Sequence, residues 1–245
     1  MIITAFGSDT GRIREVNQDM CVVRQMKSGE VFALVCDGMG GERGGNVASE
    51  IACRSMESYI ETALEKKRSG SVGEMLTKAV ETANKDVRKA AAGNAELKGM
   101  GTTAVGILVR DDCEHLHIVN VGDSRAYQVR GDGIRQLTHD HSFVQMMVDN
   151  GEITEEEARV HPKKHYITRA VGASDSIEAD YIAADFKPGD IVLLCSDGFS
   201  NYFEINEIYR LLKEDAENLP QKLIDAANNR GGADNITVAI ITKKD

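Results

Sequence analysis

Aspartates recur at the edges of runs with strand composition, and that recurrence is the first sign of chemistry in the chain. Asp37-Gly38 ends the apolar run 31–36, and Asp197-Gly198 closely follows a second apolar run at 191–195. Asp123 follows HLHIVNVG, Asp234 immediately precedes NITVAIIT, and Asp19 flanks a further run, MCVVR. An Asp-Gly pair by itself is a hairpin-turn signal, and YQVRGDGIRQL holds an ordinary instance at Asp132-Gly133. Turn chemistry does not explain the repetition. Loops at strand ends carry chemistry on a rigid scaffold. Aspartates grouped without cysteine or paired histidine suit hard, oxygen-seeking cations such as Mg²⁺ or Mn²⁺. The pattern predicts a carboxylate metal site.

The elements that must position these acids read as blocks. Residues 2–36 form three short strands, the last two joined through the turn at 27–30 as an antiparallel pair. From Asn46 the apolar period becomes helical, with Val47, Ile51, Ala52, Met56, Tyr59, Ile60, Ala63 and Leu64 on one face, ending at Lys66-Lys67-Arg68. A second helix opens at Ser71, an N-cap with Glu74 three residues on, and carries a stripe from Val72 to Val87. Residues 102–137 return to hairpin strands, with turns at Asp111-Asp112 and Asp132-Gly133. His115 and His117 alternate with Leu116 and Ile118, a polar strand face rather than a metal pair. Residues 141–170 are polar and irregular with a helical stretch near 154–159, and read as an inserted flap. Strands at 177–186 and 191–195, helices near 205–214 and 220–229, and a closing strand at 235–242 complete the chain. Such blocks predict packed antiparallel sheets covered by helices.

At 245 residues with 42% hydrophobic content, the chain can bury one large core, and no linker divides it, so 1–245 reads as one domain. No apolar segment is long enough to span a bilayer and the N-terminus lacks a signal-peptide core, which predicts a cytoplasmic protein without membrane insertion. Five cysteines without C-x-x-C spacing read as reduced thiols. The net charge of −10 excludes nucleic acid as a partner, and an anionic substrate is compatible with it only where bound cations supply local positive charge.

The ordered motifs are Arg14-Glu15-Val16-Asn17-Gln18-Asp19, Asp37-Gly38-Met39-Gly40-Gly41, Gly101-Thr102-Thr103-Ala104, Val121-Gly122-Asp123-Ser124-Arg125-Ala126-Tyr127, Leu137-Thr138-His139-Asp140-His141-Ser142, Thr168-Arg169-Ala170-Val171-Gly172, Ser196-Asp197-Gly198 and Gly232-Ala233-Asp234-Asn235-Ile236-Thr237. Over essentially the whole chain this set resembles the metal-dependent serine/threonine protein phosphatases of the PPM family, the type 2C class, in their compact bacterial form. The resemblance implies an α+β fold: a β-sandwich of two antiparallel sheets flanked by helical pairs on both outer faces. It implies two Mn²⁺ or Mg²⁺ ions bridged by Asp37, with the Gly38 carbonyl on one and Asp197 and Asp234 on the other. Asp19 would hold metal-bound water, Asp123 with Asp197 would form an additional metal position, and Arg14 would bind phosphate. A guanidinium suits that task because its planar fork donates two parallel hydrogen bonds and stays charged. The implied substrates are phosphoserine and phosphothreonine proteins, including a serine/threonine protein kinase, acted on by a monomer that opposes kinases.

The chain departs from the family pattern in three places. Gln18-Asp19 replaces an acidic pair, and Met39 and Glu42 stand where many members carry a histidine that is a candidate acid for the leaving group. Glu42, His141 and a metal-bound water are the alternatives, the water favoured. Three other readings fit the residues less well. A nucleotide site would use the glycines of GMGGERGG, but Arg43 occupies the third glycine position of G-x-G-x-x-G. A zinc pair at His161 and His165 has i, i+4 spacing but no intervening glutamate and a proline after the first histidine. A catalytically silent relative would not need Arg14, Asp19, Asp37, Asp123, Asp197 and Asp234 together.

Overall fold

The computed structural model describes residues 1–66, 70–110, 113–214 and 218–244, with Glu42 and Arg43 described by backbone alone. The turn read at Asp111-Asp112 and the basic end of the first helix at Lys67-Arg68 lie outside the described residues. In chain order come strands β1 (Ile2–Asp9), β2 (Asp19–Gln25) and β3 (Val31–Met39), then helices α1 (Gly41–Glu65) and α2 (Val72–Ala92). Strands β4 (Gly101–Thr102), β5 (Ala104–Val109), β6 (His115–Val121), β7 (Arg125–Arg130) and β8 (Gly133–Gln136) follow. Helices α3 (Phe143–Asp149) and α4 (Glu155–Val160) precede strands β9 (Asp180–Asp185) and β10 (Ile191–Cys195). Helices α5 (Asp197–Ser200), α6 (Ile205–Lys213) and α7 (Leu219–Asn229) lead to β11 (Ile236–Lys243).

Two antiparallel sheets face each other. One has the order β2-β3-β5-β6-β9, with β4 on β3, and the other has β1-β11-β10-β7-β8. Alternation along the strands sorts their side chains into separate cores. Val31, Ala33 and Val35 of β3 meet Val192, Leu194, Ala239 and Ile241 between the sheets. Phe32, Leu34 and Cys36 point the other way, into a core with α1 and α2, while Leu193, Cys195, Val238 and Ile240 pack against α5, α6 and α7. Both faces of the central strands are therefore covered. That is why VFALVC and IVLLC read as unbroken apolar runs without a period of two. The result is the expected α-β-β-α sandwich. Among the described residues no helix is long and apolar enough to cross a membrane, and the five cysteines are free thiols.

Several boundaries follow the sequence closely, and three differ. The Ser71 cap forms with its reciprocal Glu74 bonds, and β10 spans the residues read for it. The hairpin turn is Gly131-Asp132 rather than Asp132-Gly133: Arg130 pairs with Gly133, and Gly131 takes the positive φ of 56° that the tight turn needs. The stretch expected to be irregular after residue 141 contains α3, capped by Ser142 Oγ accepting from Gln145 N at 3.1 Å. At 7 residues α3 is too short for the apolar positions Phe143, Val144, Met147 and Val148 to display a helical period.

The largest difference is at α1, which starts at Gly41 rather than Asn46, so the glycine-rich segment is helix and not a solvated loop. Close approach is the reason. A Cβ on Gly45 would lie 2.7 Å from the carbonyl carbon and oxygen of Gly38, and a Cβ on Gly38 would lie 2.1 Å from Gly45 O. The helix thus presses backbone to backbone on the end of β3. Replacing glycine by alanine inside a helix normally gains roughly 1 kcal/mol of propensity. Overpacking against backbone, which cannot rotate away, costs about 1–3 kcal/mol. Gly45→Ala is therefore expected to lower the urea midpoint despite its better propensity. A variant as stable as the parent would show that α1 does not bear on Gly38.

Candidate active site

Asp37 sits inside β3, one residue before the Gly38–Gly45 contact, and Asp19 opens β2 directly opposite it in register. The main chain of Asp37 is pinned by three bonds: its N–H donates to Thr103 Oγ1 at 2.9 Å, and its carbonyl accepts from Thr103 N at 2.8 Å and Thr102 Oγ1 at 2.9 Å. Thr103 Oγ1 also bonds Ser124 Oγ at 2.7 Å, which joins this brace to the turn carrying Asp123. Asp197 begins α5 directly after β10 and accepts from Asn201 Nδ2 at 3.0 Å. Asp234 precedes β11 and pairs with Arg14 at 2.9 Å.

Arg14, Asp37, Gly38, Asp123, Asp197 and Asp234 all border one open cleft of about 1080 Å³. Asp19 lies behind Asp37 and is 8% exposed. Its Oδ2 accepts from Ser196 Oγ at 2.7 Å, and its Oδ1 is buried with no partner. Among the described residues, no three carboxylate, imidazole or thiol side chains close around a single ion position. The acids instead line a wall, so protein oxygens alone do not complete a cage.

Their mutual repulsion is visible in their acidities. Burial pushes Asp37 well above the usual carboxylate range, and the charges of Asp19, Asp197, Asp123 and Asp234 push it further. Asp19 rises to about 7 through burial and the charges of Asp197 and Asp234, against hydrogen bonds from Thr237 and Ser196. Asp123 is raised by burial, Asp197 and Asp140, against Arg125. Asp197 goes the other way: burial would raise it, but the neighbouring His165 and Asp37 side chains hold it below the ordinary value. A buried carboxylate oxygen without a partner, raised carboxyl pKa values and an all-oxygen donor set fit hard divalent cations, whose charge would offset the repulsion.

Residues from 141–170 complete the rim, and the sequence did not single them out for the cleft. Lys164 and His165 border it, with His165 Nδ1 4.0 Å from Asp197 Oδ2. The nearby Asp197 carboxylate raises the pKa of His165. His161 does not join it: its ring packs near Phe143 with centroids 6.3 Å apart, so the i, i+4 pair is split. Only the polar composition of the segment hinted at this. His141 is buried, accepting from Gly122 N at Nδ1 (3.1 Å) and meeting Asp180 Oδ2 at Nε2 (3.1 Å). With both nitrogens engaged it ties the base of this segment, where Thr168 N donates to His141 O at 2.8 Å. The Glu42 side chain lies outside the described residues.

A protein-family profile described as Protein phosphatase 2C matches residues 7–227. The chain is 37% identical over 241 residues to the serine/threonine phosphatase stp of Listeria innocua, covering 97% of this chain and 94% of that one. Its fold is similar to that of the serine/threonine phosphatase Stp1 from Staphylococcus aureus, with a TM-score of 0.92 and 34% identity over 100% of this chain and 96% of the other. It is also similar to the catalytic domain of the serine threonine protein phosphatase PstP in complex with 2 manganese ions, with a TM-score of 0.86 and 31% identity over 100% and 99% of the two chains.

The acidities set a pH dependence for the metal-free protein. A carboxyl whose folded pKa is raised binds its proton more tightly when folded, so its stabilisation is complete below the unfolded value near ~4 and is lost as pH rises through the folded value. For Asp19 that loss runs from about pH 4 to about pH 7. His165, also raised, adds in the same direction. The melting temperature of chelator-treated protein is expected to fall between about pH 4 and 7, and Asp19→Asn should flatten the slope. A melting temperature that rises over that interval would contradict the crowding of these acids.

Proposed function

The chain belongs to the protein phosphatase 2C family, and from that membership we propose that it hydrolyses phosphoserine and phosphothreonine on proteins at a dinuclear Mn²⁺ or Mg²⁺ centre. The observation that carries this reading is the convergence on one cleft of Arg14, Asp37, Asp123, Asp197 and Asp234, drawn from widely separated parts of the chain. Asp37 would bridge two ions, with the Gly38 carbonyl on one and Asp197 and Asp234 on the other. Asp19 would orient solvent through its free Oδ1, and Asp123 with Asp197 would make the additional position. The neighbour carrying two manganese ions supports the count. When bound, such a pair lowers the pKa of an attacking water and neutralises phosphoryl oxygens.

The chain's own groups do the rest. Arg14 is 53% exposed at its side chain and held only by an exposed ion pair to Asp234, an interaction worth about 0–1 kcal/mol. Its guanidinium is therefore free to turn onto a phosphoryl group and fork two of its oxygens. The bonds from Thr102 and Thr103 keep Asp37 in place during turnover. The nucleotide-binding alternative loses ground because Gly38 and Gly45 fill each other's space, leaving no cradle for phosphate between them. The flap at 141–170 reads the substrate, which includes a serine/threonine protein kinase. The protein acts in the cytoplasm as a monomer within a single domain, 1–245.

Turnover of p-nitrophenyl phosphate is expected to require added Mn²⁺ or Mg²⁺, to stop with chelator, and to drop on the order of a thousandfold in Asp37→Ala, since several kcal/mol of charge stabilisation disappear. Chelator-resistant activity would sink the reading. Substitution of Met146, Met147 or His161 should alter phosphopeptide rates about tenfold more than p-nitrophenyl phosphate rates. Equal losses on both substrates would remove the flap from substrate recognition.

A further inference from the structure

Asn235 follows Asp234 at the start of β11, is 5% exposed, and spends its side-chain amide on one segment of chain. Its Nδ2 donates to Thr10 O at 2.9 Å and to Val16 O at 3.1 Å, and its Oδ1 accepts from Gln18 N at 2.8 Å. These bonds bracket Arg14 on both sides. Further ties are Gly11 N to Asp9 Oδ1 (2.8 Å), Arg12 N to Gly232 O (2.7 Å) and Asn17 Nδ2 to Ser8 Oγ (2.8 Å). Apolar burial contributes little here, because Ile13 is 70% exposed and Val16 47%. The position of the segment therefore rests on polar bonds, and a single buried amide makes three of them.

We infer that Asn235 is a positioning residue for Arg14: its amide seats residues 10–18 so that the guanidinium faces the cleft, and it thereby sets the affinity of the site for phosphate. The inference rests on the reading of Arg14 as the phosphate-binding residue. The main-chain N–H of the same residue donates to the neighbouring Asp234 Oδ1 at 2.9 Å. Asn235→Asp is the discriminating substitution. It keeps the shape and the acceptor for Gln18 N, and turns two donors into an oxygen facing two carbonyls.

Inhibition of the Mn²⁺-loaded enzyme by inorganic phosphate measures the affinity. Asn235→Asp and Arg14→Ala are each expected to raise the inhibition constant about tenfold, which corresponds to one or two lost hydrogen bonds. Because Asn235 acts through Arg14, the double variant should lie within about twofold of Arg14→Ala alone. Trypsin supplies an independent measurement, since a loosened segment should be cut after Arg12 or Arg14 about tenfold faster in Asn235→Asp. Fully additive losses in the double variant, or a loss of Mn²⁺ affinity by calorimetry that accounts for the whole effect, would overturn the inference, as would unchanged trypsin cleavage. If Arg14→Ala leaves phosphate inhibition unaltered, the phosphate role of Arg14 fails and the affinity claim falls with it. The trypsin result then judges the seating by itself.

Discussion

Crowding of buried carboxylates is the constraint on which the rest of the structure depends. Two like charges roughly 4 Å apart repel by about 4 kcal/mol at an effective dielectric near 20. That is comparable with the whole stability of a typical domain, about 5–15 kcal/mol. Burial raises the pKa values of Asp19, Asp37 and Asp123, and the charges of neighbouring aspartates raise them further. Nothing in the acids themselves holds them together, so their positions must be imposed from outside. The sandwich does this by ending stiff, doubly covered strands at one edge and pinning the main chain there, as Thr102 and Thr103 do for Asp37.

Rigidity is unevenly distributed around the cleft. Asp37 belongs to a strand whose side chains are buried on both faces, and Asp197 and Asp234 stand beside the ends of two more, β10 and β11. The parts that would meet substrate are attached differently. The Arg14 segment is held by hydrogen bonds with little apolar burial, and the segment from 141 to 170 is tied at its base by His141 and contributes Lys164 and His165 at its rim. A site of this kind can vary its substrate-facing loops without disturbing the acids, because the two sets draw on separate sources of stability.

Glycine serves this architecture chiefly by permitting contact. Gly38 and Gly45 let the first turn of α1 rest on the end of β3, so the helix start and the central aspartate are placed by the same close approach. Read as sequence, the glycines of GMGGERGG gave a helical period no apolar residue to display. Packing rather than flexibility is what selects them.

Much of this protein was legible in the sequence for local reasons. Unbroken apolar runs ending in aspartate marked the central strands. Ser71 and Glu74 marked a helix start because a capping box is completed within four residues, and the recurrence of Asp-Gly beyond any need for turns pointed to a hard-cation site. Other features depend on partners distant in the chain. The pairing of Arg14 with Asp234, the seating of residues 10–18 by Asn235, and the approach of His165 to Asp197 in place of His161 join segments that sequence spacing cannot relate. Helix α3 is too short to display a helical period, and α1 began early because a contact with Gly38 overrode the propensity of glycine. The sequence alone determined which residues could do the chemistry, since residue type and local spacing suffice for that. Only the tertiary structure decided which of them share a cleft, because convergence is a property of packed strands and not of neighbours along the chain.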